Sequence, residues 1–210
     1  MQFSQFKQII PKISQHPVGG LEAQFKLAPE LRKQFSETQI KNKHPKFAGV
    51  LALFYPSSNN ETHFLLTKRA SYKGTHSAQI SFPGGKHEQK DTSLQQTALR
   101  ETYEEVGVTT NEITIIKEMT NVYIPPSNFL VTPYIGFSNN SPIFTKNHEV
   151  EELIPVSLDD FLHNTTISNT TLSTSYATEI TVPCFKLNSY IVWGATAMML
   201  NEIRELLKNI

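Results

Sequence analysis

An arginine and three glutamates lie close together near the middle of the chain. They are Arg100, Glu101, Glu104 and Glu105, a spacing that places them within two turns of a helix. Like charges at i, i+4 repel each other and weaken a helix. Such a cluster is most readily retained when a multivalent cation lies between the acids. The pattern therefore indicates an oxygen-ligand site for Mg²⁺ or Mn²⁺, and phosphate chemistry at that site.

Helical geometry predicts that one of these acids is buried. With Leu94 at zero, Val106 falls at about 120° and Glu105 at about 20°, inside the edge of the apolar arc. A carboxylate at a core boundary is costly unless it is paired or bound to a metal. This argues against a merely solvated face, which is the usual explanation for a Glu pair on a helix. Arg100 lies at i, i+4 from Glu104 and is predicted to orient it through a bidentate pair.

The residues around this helix carry start and stop signals. Asp91 or Thr92 is predicted to cap its N-terminus, since either side chain can accept from free N–H groups of the first turn. Gly107 is a natural stop at the C-terminus. Gly84 and Gly85 precede the helix and allow the backbone to approach a ligand closely.

Composition bounds the function classes. The 210 residues are 39% hydrophobic and 18% charged, which is enough to bury a core and argues against disorder. The net charge is zero, so we expect no general attraction to nucleic acid or to an anionic membrane. A lone cysteine, Cys184, excludes an internal disulfide and is interpreted as a buried structural thiol. We find no secretory signal and no apolar run of membrane-span length, and expect a cytoplasmic protein.

Hydrophobic patterning divides the chain in two. Residues 1–45 are predicted to be a helical extension, whose Phe3 and Phe6 begin an apolar side. We favour a lid packed on the domain over a membrane-surface helix, because the polar face is not notably basic. Residues 46–210 form the second unit, in which residues 164–175 are predicted to be a surface loop and residues 195–207 an amphipathic helix. Strand candidates are residues 48–55, 62–69, 113–119, 129–137, 153–155 and 190–194. The expected class is α/β (α+β) with a mixed sheet.

Residues 85–108 resemble the Nudix box. Its pattern is Gly, five residues, Glu, seven residues, then Arg-Glu-x-x-Glu-Glu-x-Gly and an apolar residue. The second half is complete in the segment from Arg100 to Val108. The first half has one extra residue before Arg100, and Asp91 stands where the first Glu is expected. Both departures are similar to the coenzyme A pyrophosphatase branch of the Nudix hydrolases.

That branch also carries an upstream signature. This chain matches it in Leu65-Leu66-Thr67-Lys68-Arg69-Ala70 and, at the expected spacing, in Phe82-Pro83-Gly84-Gly85. The second Arg of the signature is Gly74 here, and its first Gly is Ala78. Losing that Arg removes a natural phosphate clamp. Further resemblance lies in Val131-Thr132-Pro133, in Glu149-Val150 and in the segment from Tyr190 to Ala197.

The resemblance implies an α/β/α sandwich with the box helix against a mixed sheet. It implies that Glu101 and Glu105 are the principal ligands of Mg²⁺ or Mn²⁺, with Glu104 as a third ligand or a water-orienting group. The general base is expected from outside the box, with Glu149 as the first candidate and Glu151 as the second. A solubilising acidic loop is the alternative for that segment.

Substrate contacts are expected from Arg69, Gly84 and Gly85. A surface strand end is an equal alternative for Arg69. Tyr123 or Phe129 could stack on adenine, although core or loop packing is the favoured explanation. His76 could contact phosphate, but a solvent-exposed histidine is favoured.

The activity implied is hydrolysis of coenzyme A or its thioesters to 3′,5′-ADP and 4′-phosphopantetheine or its acyl form. The alternatives are a Nudix hydrolase of ADP-ribose or a dinucleotide, and a non-catalytic regulator that binds a nucleotide. The complete Arg-Glu-x-x-Glu-Glu set argues against the regulator, because a pure binder need not retain a metal cluster. The expected partner is a coenzyme A-like nucleotide, with neither nucleic acid nor membrane, and a homodimer is left open.

Overall fold

The apolar run that begins near residue 46 forms the central strand of a mixed sheet. This computed structural model describes residues 1–30, 36–70, 79–174 and 177–210, with side chains described throughout except for residues 173–178. Within these ranges the helices are α1 (Phe3–Gln15), α2 (Gly20–Phe25), α3 (Glu37–Asn42), α4 (Leu94–Val106), α5 (Leu158–Leu162) and α6 (Gly194–Lys208). The strands are β1 (Lys46–Pro56), β2 (Thr62–Arg69), β3 (Ile80–Ser81), β4 (Gly84–Lys86), β5 (Ile113–Glu118), β6 (Val122–Ile124), β7 (Phe129–Ser138), β8 (Val150–Ser157), β9 (Ile167–Thr174), β10 (Ala177–Leu187) and β11 (Tyr190–Trp193).

The main sheet branches around β1. Among the described residues it has eight strands, with the path β3-β2-β1-β7-β5 and with β4 on β1, β6 on β7 and β8 on β2. The β1–β7 pair is parallel, and the other pairs are antiparallel. A second sheet has the order β11-β10-β9. The predicted mixed sheet with helices is therefore confirmed.

Alternation along β1 directs side chains to opposite faces. Leu51 and Leu53 are buried in a cluster with Ala98 of α4. Phe54 enters the larger cluster on the other face, where its ring stacks on Phe6 of α1 with centroids 4.9 Å apart. This period of two is what the strand geometry requires. It produces the expected helix–sheet–helix layering, with α4 on one face and α1 and α6 on the other.

Helix α4 lies unusually close to β1 at one point. A Cβ added to Gly49 would lie 2.2 Å from the Leu94 carbonyl oxygen and 3.0 Å from the Ala98 nitrogen. Only glycine accommodates that contact, because both neighbouring atoms belong to the helix backbone. The close approach holds the glutamate-bearing helix against the strands that end at the candidate site.

The predicted limits of α4 are half correct. Gly107 ends the helix as expected, with φ of 79° and its N–H donating to Tyr103 O at 2.9 Å. The predicted N-cap at Asp91 or Thr92 is wrong. Ser93 is the N-cap, and its side chain accepts from the N–H of Gln96 at 3.1 Å. The Asp91 carboxylate is engaged elsewhere, as described below.

The loop predicted at residues 164–175 is wrong for most of its length. Residues Ile167–Thr174 form β9, which pairs with β10 in antiparallel register. The segment is rich in Thr, whose β-branched side chain suits a pleated surface, and this preference outweighs the turn-like composition. Cys184 of β10 is fully buried, as predicted.

The N-terminal helices pack into the main core. Phe3, Phe6 and Ile13 of α1 are buried in the larger hydrophobic cluster, which is consistent with a segment packed on the domain. Residues 31–35 of the predicted helical extension lie outside the described residues. The division at residue 45 stays a prediction. In the described part of the chain, no helix has the length and apolar character needed to cross a membrane.

Candidate active site

The C-terminal half of α4, the end of β2 and the turn at β4 meet at a cavity of about 460 Å³. The predicted site residues that line it are Arg69, Gly84, Gly85, Glu101, Glu104, Glu105 and Glu149. The structure thus brings together side chains from segments far apart in sequence. Glu151 and Arg100 are not among the lining residues.

Glu105 is the buried acid that helical geometry predicts. It is 2% exposed, and its Oε2 accepts from the N–H of Gly84 at 3.0 Å. Its Oε1 accepts from Arg69 Nη1 at 3.2 Å. Burial raises the pKa of Glu105 to about 7, although the Gly84 N–H and the Arg69 charge both favour the ionised form. The carboxyl therefore titrates near neutral pH in the ligand-free protein.

Glu149 reaches the cavity because its loop is fastened at both sides. The N–H of Asn147 donates to Glu105 O at 3.0 Å, and the N–H of Ala70 donates to Glu149 O at 2.8 Å. These backbone bonds place the Glu149 carboxylate beside Arg69, whose Nη2 donates to its Oε2 at 3.3 Å. Glu151 instead accepts from Lys68 Nζ at 2.5 Å, outside the cavity.

Arg69 bridges two acids from different elements. It ends β2, and its side chain contacts Glu105 through Nη1 and Glu149 through Nη2. Its side chain is 22% exposed, so it is partly buried at the end of the strand. Its Nε is buried and has no hydrogen-bond partner among the described residues. A buried donor in this state favours an acceptor supplied from the cavity.

Arg100 makes its bidentate pair with Asp91, and the predicted bidentate pair with Glu104 is wrong. Arg100 Nε and Nη2 donate to the two Asp91 oxygens at 2.8 and 2.9 Å. Its Nη1 also donates to Glu101 at 2.9 Å and to Glu104 at 3.0 Å. The hydrogen bonds from Arg100 hold the pKa of Asp91 well below its usual range. Arg100 is therefore placed to orient the acids from behind them.

Each glycine of β4 contacts one of the acids of α4. A Cβ on Gly85 would lie 2.4 Å from Glu101 Cδ, so this carboxylate occupies the space that a side chain would need. Gly84 has φ of 148°, and its N–H is the donor to Glu105. Burial raises the pKa of Glu101, against the lowering effect of Arg100. Close packing and desolvation thus act on both acids.

The cavity also has an apolar side, which the motifs do not reveal. Ile124 of β6, Phe129 of β7, Trp193 of β11 and Met199 of α6 line it. Trp193 belongs to the segment Tyr190–Ala197, which carries part of the family resemblance. That resemblance was the signal in the sequence that pointed to this residue. Phe129 is therefore in position to meet a substrate.

One residue considered for substrate contact, Tyr123, lies elsewhere. Tyr123 does not line this cavity, and its hydroxyl donates to Asn128 Oδ1 at 3.0 Å. Gly74, His76 and Ala78 lie outside the described residues.

The donor chemistry of the acids fits a hard divalent cation. The described residues contain no group of three or more His, Cys, Asp or Glu already gathered to hold a metal ion. Glu101 and Glu104 are instead paired with Arg100, and Glu105 with Arg69 and the Gly84 N–H. Oxygen donors are the ligands that Mg²⁺ and Mn²⁺ prefer. A nearby cation would also favour the ionised form of buried Glu105.

Comparison with known proteins decides the family. A model of the NUDIX domain matches residues 45–172. The chain belongs to the Nudix family. Nudix hydrolase 3 of Caenorhabditis elegans is 26% identical over 224 residues, covering 90% of this chain and 93% of that protein. A protein of the same organism named peroxisomal coenzyme A diphosphatase is 28% identical over 167 residues, covering 78% of this chain and 70% of its own length.

Solved structures share the fold. The crystal structure of the Nudix hydrolase RenU from M. smegmatis superimposes with a TM-score of 0.55 at 18% identity, covering 79% of this chain and 88% of that one. This likeness supports the sandwich architecture. The family match makes this Nudix chain a hydrolase of nucleoside diphosphate derivatives.

The buried carboxyl predicts an inverse dependence of stability on pH. The pKa of Glu105 is about 7 in the folded protein and 4.5 for an unperturbed group, so the folded state binds more protons between these values. Its contribution therefore makes the free energy of unfolding fall as pH rises through that window, by about 3 kcal/mol at most.

Glu105→Gln removes this contribution to the pH dependence of the free energy of unfolding. Urea unfolding in a metal-chelating buffer at pH 5, 6, 7 and 8 is expected to show the variant gaining stability relative to wild type as pH rises. This range of pH covers most of the interval between the unfolded and folded pKa values of Glu105 and extends above it. Glu22→Gln, which changes an exposed glutamate of α2, serves as the charge control. A wild-type protein that gains stability over Glu105→Gln as pH rises would contradict the assigned pKa direction.

Proposed function

We propose that this Nudix protein hydrolyses the diphosphate linkage of coenzyme A or its thioesters. The products are 3′,5′-ADP and 4′-phosphopantetheine or its acyl form. The proposal rests on the match of residues 65–70 and 82–85 to the upstream signature and on the similarity to the coenzyme A diphosphatase of Caenorhabditis elegans. A cytoplasmic location and a homodimer stay predictions.

The observation that carries the proposal is the position of Arg69. This signature residue enters the cavity between Glu105 and Glu149, with a buried Nε that has no partner within the described part of the chain. A diphosphate oxygen is a suitable acceptor, because a guanidinium matches phosphate geometry and charge. Gly84 and Gly85 line the same cavity beside the acids.

The glutamates have two further roles, metal binding and proton acceptance. Glu101, Glu104 and Glu105 would hold Mg²⁺ or Mn²⁺, which when bound polarises phosphorus and neutralises charge on the diphosphate. Glu149 accepts a proton from the attacking water as the water oxygen bonds to phosphorus. The bridging P–O bond then breaks, and the leaving phosphate takes the bonding electron pair. Arg69 stabilises the charge that develops on the phosphate oxygens.

A panel of substrates tests the proposal directly. Purified protein is incubated with Mg²⁺ or Mn²⁺ and coenzyme A, acetyl-coenzyme A, ADP-ribose or NADH, and the products are resolved chromatographically. We expect preferential cleavage of coenzyme A or its thioester. Preference for ADP-ribose or NADH would overturn the substrate assignment and leave a Nudix hydrolase. Calorimetric binding of these nucleotides without product formation would favour the regulator.

Substitution of the loop acids separates the two candidates for the general base. Glu149→Gln is expected to lower kcat on the best substrate of the panel by about a hundredfold or more, the usual contribution of a general base. Glu151→Gln removes the same charge two residues away, outside the cavity, and is expected to retain most of the rate. Circular dichroism and thermal unfolding check that both variants fold. Equal rates for the two variants would remove Glu149 from the mechanism.

A further inference from the structure

The apolar side of the active-site cavity is a thin wall with a second cavity behind it. Ile124, Phe129 and Met199 face the candidate active site. The residues next to them in the sequence line a separate cavity of about 350 Å³: Tyr123, Leu130 and Met198. The alternation follows from strand geometry, because Tyr123 pairs with Leu130 and Ile124 pairs with Phe129 in the β6–β7 register.

The other walls of this second cavity come from the N-terminal helices and from Thr120 and Asn121, which lie between β5 and β6. Leu21, Gln24 and Phe25 contribute from α2, and Ile40 and Lys41 from α3. The lining is largely apolar, with Glu37 and Lys41 both on exposed positions of α3. Their opposite charges give no net preference for an ion, so the cavity suits a neutral molecule.

Gln24 contributes a buried amide to the lining of the cavity. Gln24 is fully buried, and its Nε2 donates to Thr120 O at 2.8 Å and to Glu202 Oε2 at 2.9 Å. Because both partners are acceptors, the orientation of the amide is determined: Nε2 faces them. Its Oε1 is buried and accepts no hydrogen bond from the described residues. A buried acceptor in this state is costly until a donor is supplied.

Glu202 is itself held in place, which fixes the orientation of the Gln24 amide. Its Oε1 accepts from the N–H of Gly20 at 2.9 Å and from Thr120 Oγ1 at 2.6 Å. The carboxylate is therefore saturated by donors that join α2 to α6. The rigid cluster holds Gln24 at the cavity with one unmet acceptor.

We propose that the second cavity binds a small neutral molecule that is mostly apolar and carries one hydrogen-bond donor, such as a primary amide. The apolar part packs against Phe25, Leu130 and Met198, and the donor bonds Gln24 Oε1. Occupancy changes the packing directly behind Ile124 and Phe129. The site is separate from diphosphate hydrolysis and does not depend on the identity of that substrate.

Phenylacetamide tests the proposal, with N,N-dimethylphenylacetamide as the probe that lacks an N–H donor. Binding to the full chain is followed by NMR through the backbone amides of Tyr123 and Leu130 and the methyl group of Met198. We expect saturable shifts with phenylacetamide and affinity for the dimethyl probe weaker by about fivefold, the effect of one hydrogen bond. Absence of saturable shifts, or equal affinity for both probes, would overturn the proposal.

A matched pair of variants locates the binding. Ile40→Phe narrows the second cavity, whereas Ile9→Phe makes the same change at a half-buried position of α1 outside it. We expect phenylacetamide binding to weaken at least about fivefold in the first variant and to be unchanged in the second. Leu21→Phe, at the exposed rim, repeats the test if Ile40→Phe does not fold. Unchanged affinity in a folded cavity variant would place the probe elsewhere and refute the site.

Discussion

Burial of the Glu105 carboxylate is the constraint around which the candidate site is built. An ionised acid inside a protein requires donors or charge close by. Here the donors are the Gly84 N–H and the Arg69 guanidinium, which belong to β4 and β2. The backbone of the same residue accepts from Asn147 and so fastens the loop that carries Glu149. One residue thus joins the turn, the strand and the loop at the end of the cavity.

The Asp91–Arg100 pair supports this arrangement from the other side of the helix. Asp91 is 7% exposed and receives two guanidinium donors, so Arg100 is fixed in orientation. Its remaining Nη1 then reaches both Glu101 and Glu104. Asp91, which stands where the box has a Glu, thus contacts Arg100 with both carboxylate oxygens.

The sequence predicts what depends on local periodicity and backbone chemistry. Glu105 falls at the core edge by helical angle alone, and Gly107 ends α4 because the chain there turns left-handed. What could not be predicted depends on partners distant in sequence. The Asp91 side chain binds Arg100, so Ser93 becomes the N-cap of α4. Strand β9 forms because β10 pairs with it. The apolar wall at Met199 forms only when α6 packs against the sheet. Sites of this kind require the fold before their residues can be recognised.

We propose that buried Glu105 helps to hold a divalent cation. Water-proton relaxation during a titration with Mn²⁺ measures the affinity for the metal without any substrate. We expect Mn²⁺ binding by the wild-type protein, affinity weaker by at least about tenfold in Glu105→Gln, and wild-type affinity in Glu22→Gln. Equal Mn²⁺ affinity in wild type and a folded Glu105→Gln would contradict it.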